Sequence, residues 1–167
     1  MINDRIYLDY NASQPLCQEA REAMVRAMDL VGNPSSIHNE GRKARALIEE
    51  AREKVAQLIH AKPSEVIFTS GATEANRMAF ESQLWSIMLF GSSEHISVLS
   101  PMQRSQIPKF EIPTDRMGLL RIDFALSCID SHKEIDGPFL VSFSWANGET
   151  GVLQPVERFL HSVDTNR

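Results

Sequence analysis

The sequence predicts an α/β fold, a three-layer arrangement in which a mainly parallel sheet is flanked by helices. Apolar runs rich in β-branched and aromatic residues at 66–69, 87–90 and 139–145 alternate with stretches of helical spacing, as in a sheet built from βαβ units. Those runs lack polar alternation, which marks strands buried on both faces. The run Val66-Ile67-Phe68-Thr69 also passes through Ser70-Gly71-Ala72-Thr73-Glu74 into a helical segment, the strand–Gly–helix arrangement that holds an anion on backbone N–H groups.

In chain order, Ala20, Ala23, Met24, Ala27, Met28 and Val31 fall at helical spacing, and Gly32 supplies a stop. A longer helix is expected from about Gly41 to His60, with an apolar stripe of Ala44, Leu47, Ile48, Ala51, Val55, Leu58 and Ile59 and a solvated charged face. After the 66–69 strand comes a helix running to about Trp85, then a strand Ile87-Met88-Leu89-Phe90. The loop Gly91-Ser92-Ser93 delivers Glu94 and His95. Ile96 to Gln103 fits a short helix and Ile107 to Ile112 a strand despite Pro108. Leu119 to Ile122 reads as a small extended piece, Asp123 to Asp130 as a helix and Phe139 to Trp145 as a strong last strand. No linker, repeat or low-complexity segment interrupts this pattern, so residues 1–167 are expected to form a single domain.

Composition bounds the function. With 43% hydrophobic and 23% charged residues over 167 positions, an ordinary globular core is expected. A net charge of −5, with 17 basic residues that form no long block, argues against a nucleic-acid partner. No transmembrane or signal-like run is present, so no membrane association is expected. Cys17 and Cys128 are isolated, which implies no metal or redox pair and favours a reducing, cytoplasmic setting.

Ligands of parallel sheets sit at the carboxyl ends of the strands. Three polar groups are expected on that rim: Gly71 to Thr73 after 66–69, His95 after 87–90, and Asn147 after 139–145. Gly71 would let the backbone turn sharply, while Ala72 and Thr73 would present N–H groups and a hydroxyl at a helix start. Each group also fits a plain role. Ser70 or Thr73 with Glu74 makes an ordinary N-cap, His95 fits a loop histidine, and Asn147-Gly148 fits a turn.

The motifs Ile6-Tyr7-Leu8-Asp9-Tyr10-Asn11-Ala12, Gly32-Asn33-Pro34-Ser35-Ser36 with His38 and Gly41, Thr69 to Asn76, Glu94-His95, and Asn147 to Gln154 resemble, in order and spacing, the N-terminal part of the cysteine desulfurases. These are fold type I pyridoxal phosphate enzymes of the class V aminotransferase group. The resemblance covers nearly the whole chain and implies a partial cofactor-binding large domain without its C-terminal small domain. It also implies pyridoxal 5'-phosphate as cofactor and removal of sulfur from L-cysteine, giving alanine and a persulfide for iron–sulfur cluster assembly. By the same resemblance Ala72 and Thr73, with Gly71, hold the phosphate, and His95 stacks on the pyridine ring and helps in proton transfer. Asn147 bonds the ring hydroxyl, while Asn11 and Ala12 approach the substrate amino acid. Two positions depart from the family pattern: Ser13-Gln14 replaces the usual pair of threonines, and Gly148 stands where asparagine is common.

Pyridoxal chemistry also needs a Schiff-base lysine and an acid on the pyridine nitrogen. In the resembled family both lie beyond the matched region, as does the sulfur-accepting cysteine. Lys43, Lys54, Lys62, Lys109 and Lys133 match no lysine motif of the family and read as surface residues, and Asp164 does not match the acid. The chain alone is therefore expected to be inactive, and to act as a homodimer or with a complementing C-terminal polypeptide on a small amino acid. Two other readings stay open: another class V enzyme such as a selenocysteine lyase, and a non-catalytic interaction module or half of a split enzyme.

Overall fold

A computed structural model describes residues 6–82 and 84–164. The chain forms two compact units, one ending at Phe68 and the other beginning at Thr69.

The first unit is helical. Helix α1 (Gln18–Met28) carries the predicted 20–31 spacing and ends at Asp29, three residues ahead of Gly32. Helix α2 (Asn39–Leu58) starts where His38 Nδ1 accepts the Gly41 backbone N–H at 3.2 Å. The turn before it is tightly folded, since a Cβ on Gly41 would stand 2.3 Å from the Ser36 carbonyl oxygen. The expected strand at 66–69 does not form. The Val66 carbonyl accepts from the Arg52 guanidinium at 2.5 Å, and the same guanidinium lies 5.1 Å from the centre of the Phe68 ring. α2 thus takes up the polar and aromatic groups of this extended segment, and Ile67 remains 68% exposed.

The second unit holds the sheet. Strands β1 (Ile87–Gly91), β2 (Lys109–Ile112) and β3 (Phe139–Ser142) are parallel, in the order β2-β1-β3. Central β1 is buried on both sides, which explains its unbroken apolar sequence. Ile87 and Leu89 join Ile112, Ile122, Ala125 and Phe159 in one cluster, and Met88 joins Phe80, Val98 and Met102 in the other. Helices α3 (Ala72–Phe80) and α4 (Ile96–Arg104) therefore cover one face, while α5 (Ile122–Ser131) and α6 (Val156–Asp164) cover the opposite one. Helix α3 stops short of the predicted Trp85 because the chain folds back: the Trp85 indole N–H donates to the Ala79 carbonyl at 2.6 Å.

This winding positions the site. Strands β1 and β3 are neighbours, yet the helices that follow them, α4 and α6, lie on opposite faces. Their outgoing loops therefore lead to opposite faces, the switch-point arrangement at which α/β sheets carry ligands outside the carboxyl ends of their strands.

Candidate functional site

His95 and Asn147 stand on the two diverging loops. The loops are tied directly to each other. Glu94, next to His95, accepts the Ser144 backbone N–H at 2.5 Å and its hydroxyl at 3.2 Å. Asn147 Nδ2 donates to the Ser93 carbonyl at 2.8 Å. Each tie links the segment after β1 to the segment after β3, so the geometry that holds His95 also holds Asn147.

Asn147 is buried, and its side chain organises its own loop. Oδ1 accepts the backbone N–H groups of Glu149 and Thr150 and the Thr150 hydroxyl at 2.9–3.1 Å. Gly151, at φ 72°, then turns the chain back so that the Asn147 N–H meets the Val152 carbonyl. With Oδ1 engaged and one Nδ2 hydrogen on Ser93, the second Nδ2 hydrogen has no protein acceptor among the described residues. The turn that Asn147-Gly148 suggested is thus present, and it coexists with a donor left unpaired among those residues.

His95 is the N-cap of α4. Its Nδ1 accepts the Ser97 backbone N–H at 3.1 Å and lies 2.8 Å from the Ser97 hydroxyl, while the ring is exposed. Ser97 Oγ also accepts from Asn76 Nδ2 at 2.9 Å, which brings the second turn of α3 to the start of α4. Asn76 falls in the quoted Thr69–Asn76 motif, but no role follows from its position. Ser97 is legible as the second residue after an N-capping histidine, a common capping spacing.

At the start of α3, no protein acceptor lies on the N–H groups of Ala72, Thr73 and Glu74 among the described residues, and the Thr73 hydroxyl has no protein partner there either. The Glu74 carboxylate turns back to Ser70, accepting its hydroxyl and backbone N–H at 2.6 Å each. These bonds hold the Glu74 carboxyl below its ordinary pKa, the hydroxyl having the larger effect. Two expectations change. Gly71 makes no sharp turn: its backbone is extended, and a Cβ there would meet nothing within 4 Å. Nor do residues 71–73 follow a strand, since 66–69 is not one; α3 is positioned instead through Asn76 and Ser97. What remains is an exposed helix start with unpaired N–H donors, a favourable electrostatic position for an anion.

Asn11 and Ala12 belong to the first unit, in an exposed turn where the Ala12 N–H meets the Asp9 carbonyl. The five lysines are all exposed. In the second unit Lys109 opens β2 and Lys133 lies in the connection leading to β3, so both stand at the amino ends of the strands, the end opposite His95 and Asn147. Among the described residues no cluster of three or more His, Cys, Asp or Glu side chains could hold a metal ion.

The donor set fits a phosphorylated aromatic cofactor: unpaired N–H groups for a phosphate, an exposed imidazole for a flat ring, and one amide hydrogen for a ring oxygen. The chain is 40% identical to the cysteine desulfurase IscS of Dictyoglomus turgidum, over 91% of its own length and 40% of that protein's. It is 34% identical to the selenocysteine lyase of Xenopus laevis over 93% and 41%. A solved NifS-like protein of Rickettsia africae superposes with TM-score 0.82 at 28% identity, covering 96% of this chain and 45% of that one. Another NifS-like protein gives 0.78 at 31% identity. The chain spans about two fifths of the length of the curated relatives it matches. Because the family profile described as aminotransferase class-V matches residues 6–166, nearly all of this sequence, the chain belongs to the class V aminotransferases.

Proposed function

We propose that this chain supplies the phosphate- and ring-holding part of a pyridoxal phosphate site in an enzyme of the cysteine desulfurase type. The reading is carried by one observation: His95 and Asn147 sit on the two loops that diverge at the β1/β3 switch point and are cross-tied by Glu94–Ser144 and Asn147–Ser93. The N–H groups of Ala72 and Thr73 and the Thr73 hydroxyl would bind the phosphate, with Gly71 leaving open space beside it. The His95 imidazole would lie flat against the pyridine ring, and the spare Asn147 hydrogen would donate to the ring oxygen. When bound, the cofactor supplies an electron-withdrawing ring that stabilises negative charge on the amino acid substrate.

Asn11 and Ala12 are assigned to the amino acid substrate by family resemblance. The completed reaction would release sulfur from L-cysteine as a persulfide and leave alanine, with iron–sulfur cluster assembly as its destination. By family resemblance its acceptor thiol is neither Cys17 nor Cys128, since the sulfur-accepting cysteine of the family lies beyond the matched region. The isolated, unpaired cysteines support a reducing, cytoplasmic setting; among the described residues no helix is long and apolar enough to cross a membrane. The Schiff-base lysine would come from the part of the enzyme beyond the matched region, in an assembly read as a homodimer or as a complex with a complementing C-terminal polypeptide. The selenocysteine lyases among the relatives keep a selenium substrate as the second reading, separable by comparing cysteine and selenocysteine in the completed enzyme.

Titration of the chain with pyridoxal phosphate tests the reading. Saturable binding without sulfide release from cysteine is expected, and borohydride should trap no specific lysine. Absence of binding, or trapping on one defined lysine with turnover, would overturn it.

A further inference from the structure

Gln154 is only 5% exposed and closes the loop that carries Asn147. Backbone bonds make that loop a small hairpin: the Gln154 N–H donates to the Trp145 carbonyl at 2.7 Å, and the Asn147 N–H to that of Val152 at 3.0 Å. The Gln154 side chain reaches a second hairpin. Its Oε1 accepts the Leu120 backbone N–H at 2.8 Å, and its Nε2 donates to the Gly118 carbonyl at 2.9 Å. Both groups belong to the segment after β2, which the Thr114–Leu120 bridge and the bond from the Asp115 N–H to the Leu119 carbonyl fold back on itself. An amide matches this pair because it sets an acceptor and a donor side by side. Glu94 and Asn147 already tie the loop after β3 to the loop after β1, so Gln154 brings the loop after β2 into the same network.

We propose that Gln154 is a positioning residue that fixes the Asn147 amide by docking its hairpin on the backbone of Gly118 and Leu120. The proposal rests on the reading of Asn147 as the donor to the cofactor's ring oxygen, and it adds what sets that donor in place. The ties from Ser144 to Glu94 and from Asn147 to Ser93 hold the outgoing arm of the hairpin. Gln154 holds the returning arm. Without its two bonds the hairpin would hinge about the outgoing arm, and the spare Asn147 hydrogen would lose its single direction. Gln154 therefore acts on the ligand only through Asn147.

A double-mutant cycle on the full chain, read by titration with pyridoxal phosphate, tests this. Asn147→Ala should weaken binding roughly fivefold. Gln154→Met, which keeps the volume and removes both bonds, should weaken it by about as much, and the double variant by little more than either. Additive losses, or wild-type affinity in Gln154→Met, would overturn the proposal. Side-chain 15N–1H spectra of the free chain give a second reading, with the Asn147 pair assigned by its loss in Asn147→Ala. That pair should be single and sharp in wild type and broadened or doubled in Gln154→Met. It should stay unchanged in Met102→Ala, a core variant in the α3/α4 cluster; a pair that Gln154→Met leaves unmoved also counts against the proposal. If Gln154→Met fails to fold by circular dichroism, wild-type hydrogen exchange decides: slow exchange of the Leu120 N–H supports the docking, and exchange as fast as an exposed amide rejects it. If wild type binds no pyridoxal phosphate, the cofactor reading fails and the spectra alone judge Gln154.

Discussion

Thr73 offers a hydroxyl and an N–H at the exposed start of α3. Thr73→Val removes the hydroxyl alone, and a hydrogen bond to a charged partner is worth about 1.5–3 kcal/mol. Calorimetric titration with pyridoxal phosphate should show weaker binding by roughly tenfold or more; an unchanged affinity would argue against this phosphate position. Two glycines should respond in opposite ways. Gly71→Ala meets open space on extended backbone and should change stability by no more than about 0.5 kcal/mol. Gly41→Ala places a methyl group 2.3 Å from the Ser36 carbonyl oxygen and 2.7 Å from that of Asn33, a clash expected to cost on the order of 1–3 kcal/mol. Comparing the two melting temperatures checks both. Glu74 adds a pH dependence. Its carboxyl titrates below its ordinary value because of Ser70, so the stabilisation is present above the ordinary carboxylate range and is lost as pH falls through the depressed value. The group is exposed, so the effect is small: wild type should melt above Glu74→Gln at neutral pH, and the gap should close on acidification.

At the level of elements, the sequence was most legible where one physical signal dominated. β1 is apolar throughout because α3 and α4 cover one face and α5 and α6 the other, and that burial is what an unbroken run such as Ile87 to Phe90 encodes. The run at 66–69 carries the same composition, yet its carbonyl and aromatic groups go to Arg52. A partner contributed by a charged helix 14 residues earlier leaves no periodic trace. Of the site, His95 and Asn147 could be placed by the switch-point rule, because it needs only strand ends. The cross-ties through Glu94, Ser144 and Ser93 could not, since they join residues about 50 apart in sequence. Leu89 is fully buried in the central strand, so Leu89→Ala should cost about 2–5 kcal/mol in denaturant unfolding. The exposed Leu160, at 55%, should tolerate the same change with a much smaller loss.

At the scale of the whole molecule, the second unit leaves apolar surface uncovered. Among the described residues β2 and β3 each pair with β1 and with no further strand. Beside β3 a groove of about 840 Å³ is lined by Leu126, Phe139, Val141, Phe159 and Val163, with Lys133 and Asp130 at its edge. Strand edges and apolar grooves of this kind template association. At roughly 25 cal/mol per Å², covering several hundred Å² would gain several kcal/mol, a sizeable part of the about 5–15 kcal/mol that holds a domain together. The 167-residue chain should therefore self-associate at micromolar concentration, with a dimer as the expected species. Val141→Lys sets a charge in the groove and should shift that equilibrium toward monomer. Light scattering across a dilution series measures it: a monodisperse, cooperatively melting monomer that binds no apolar dye would show that this surface needs no partner.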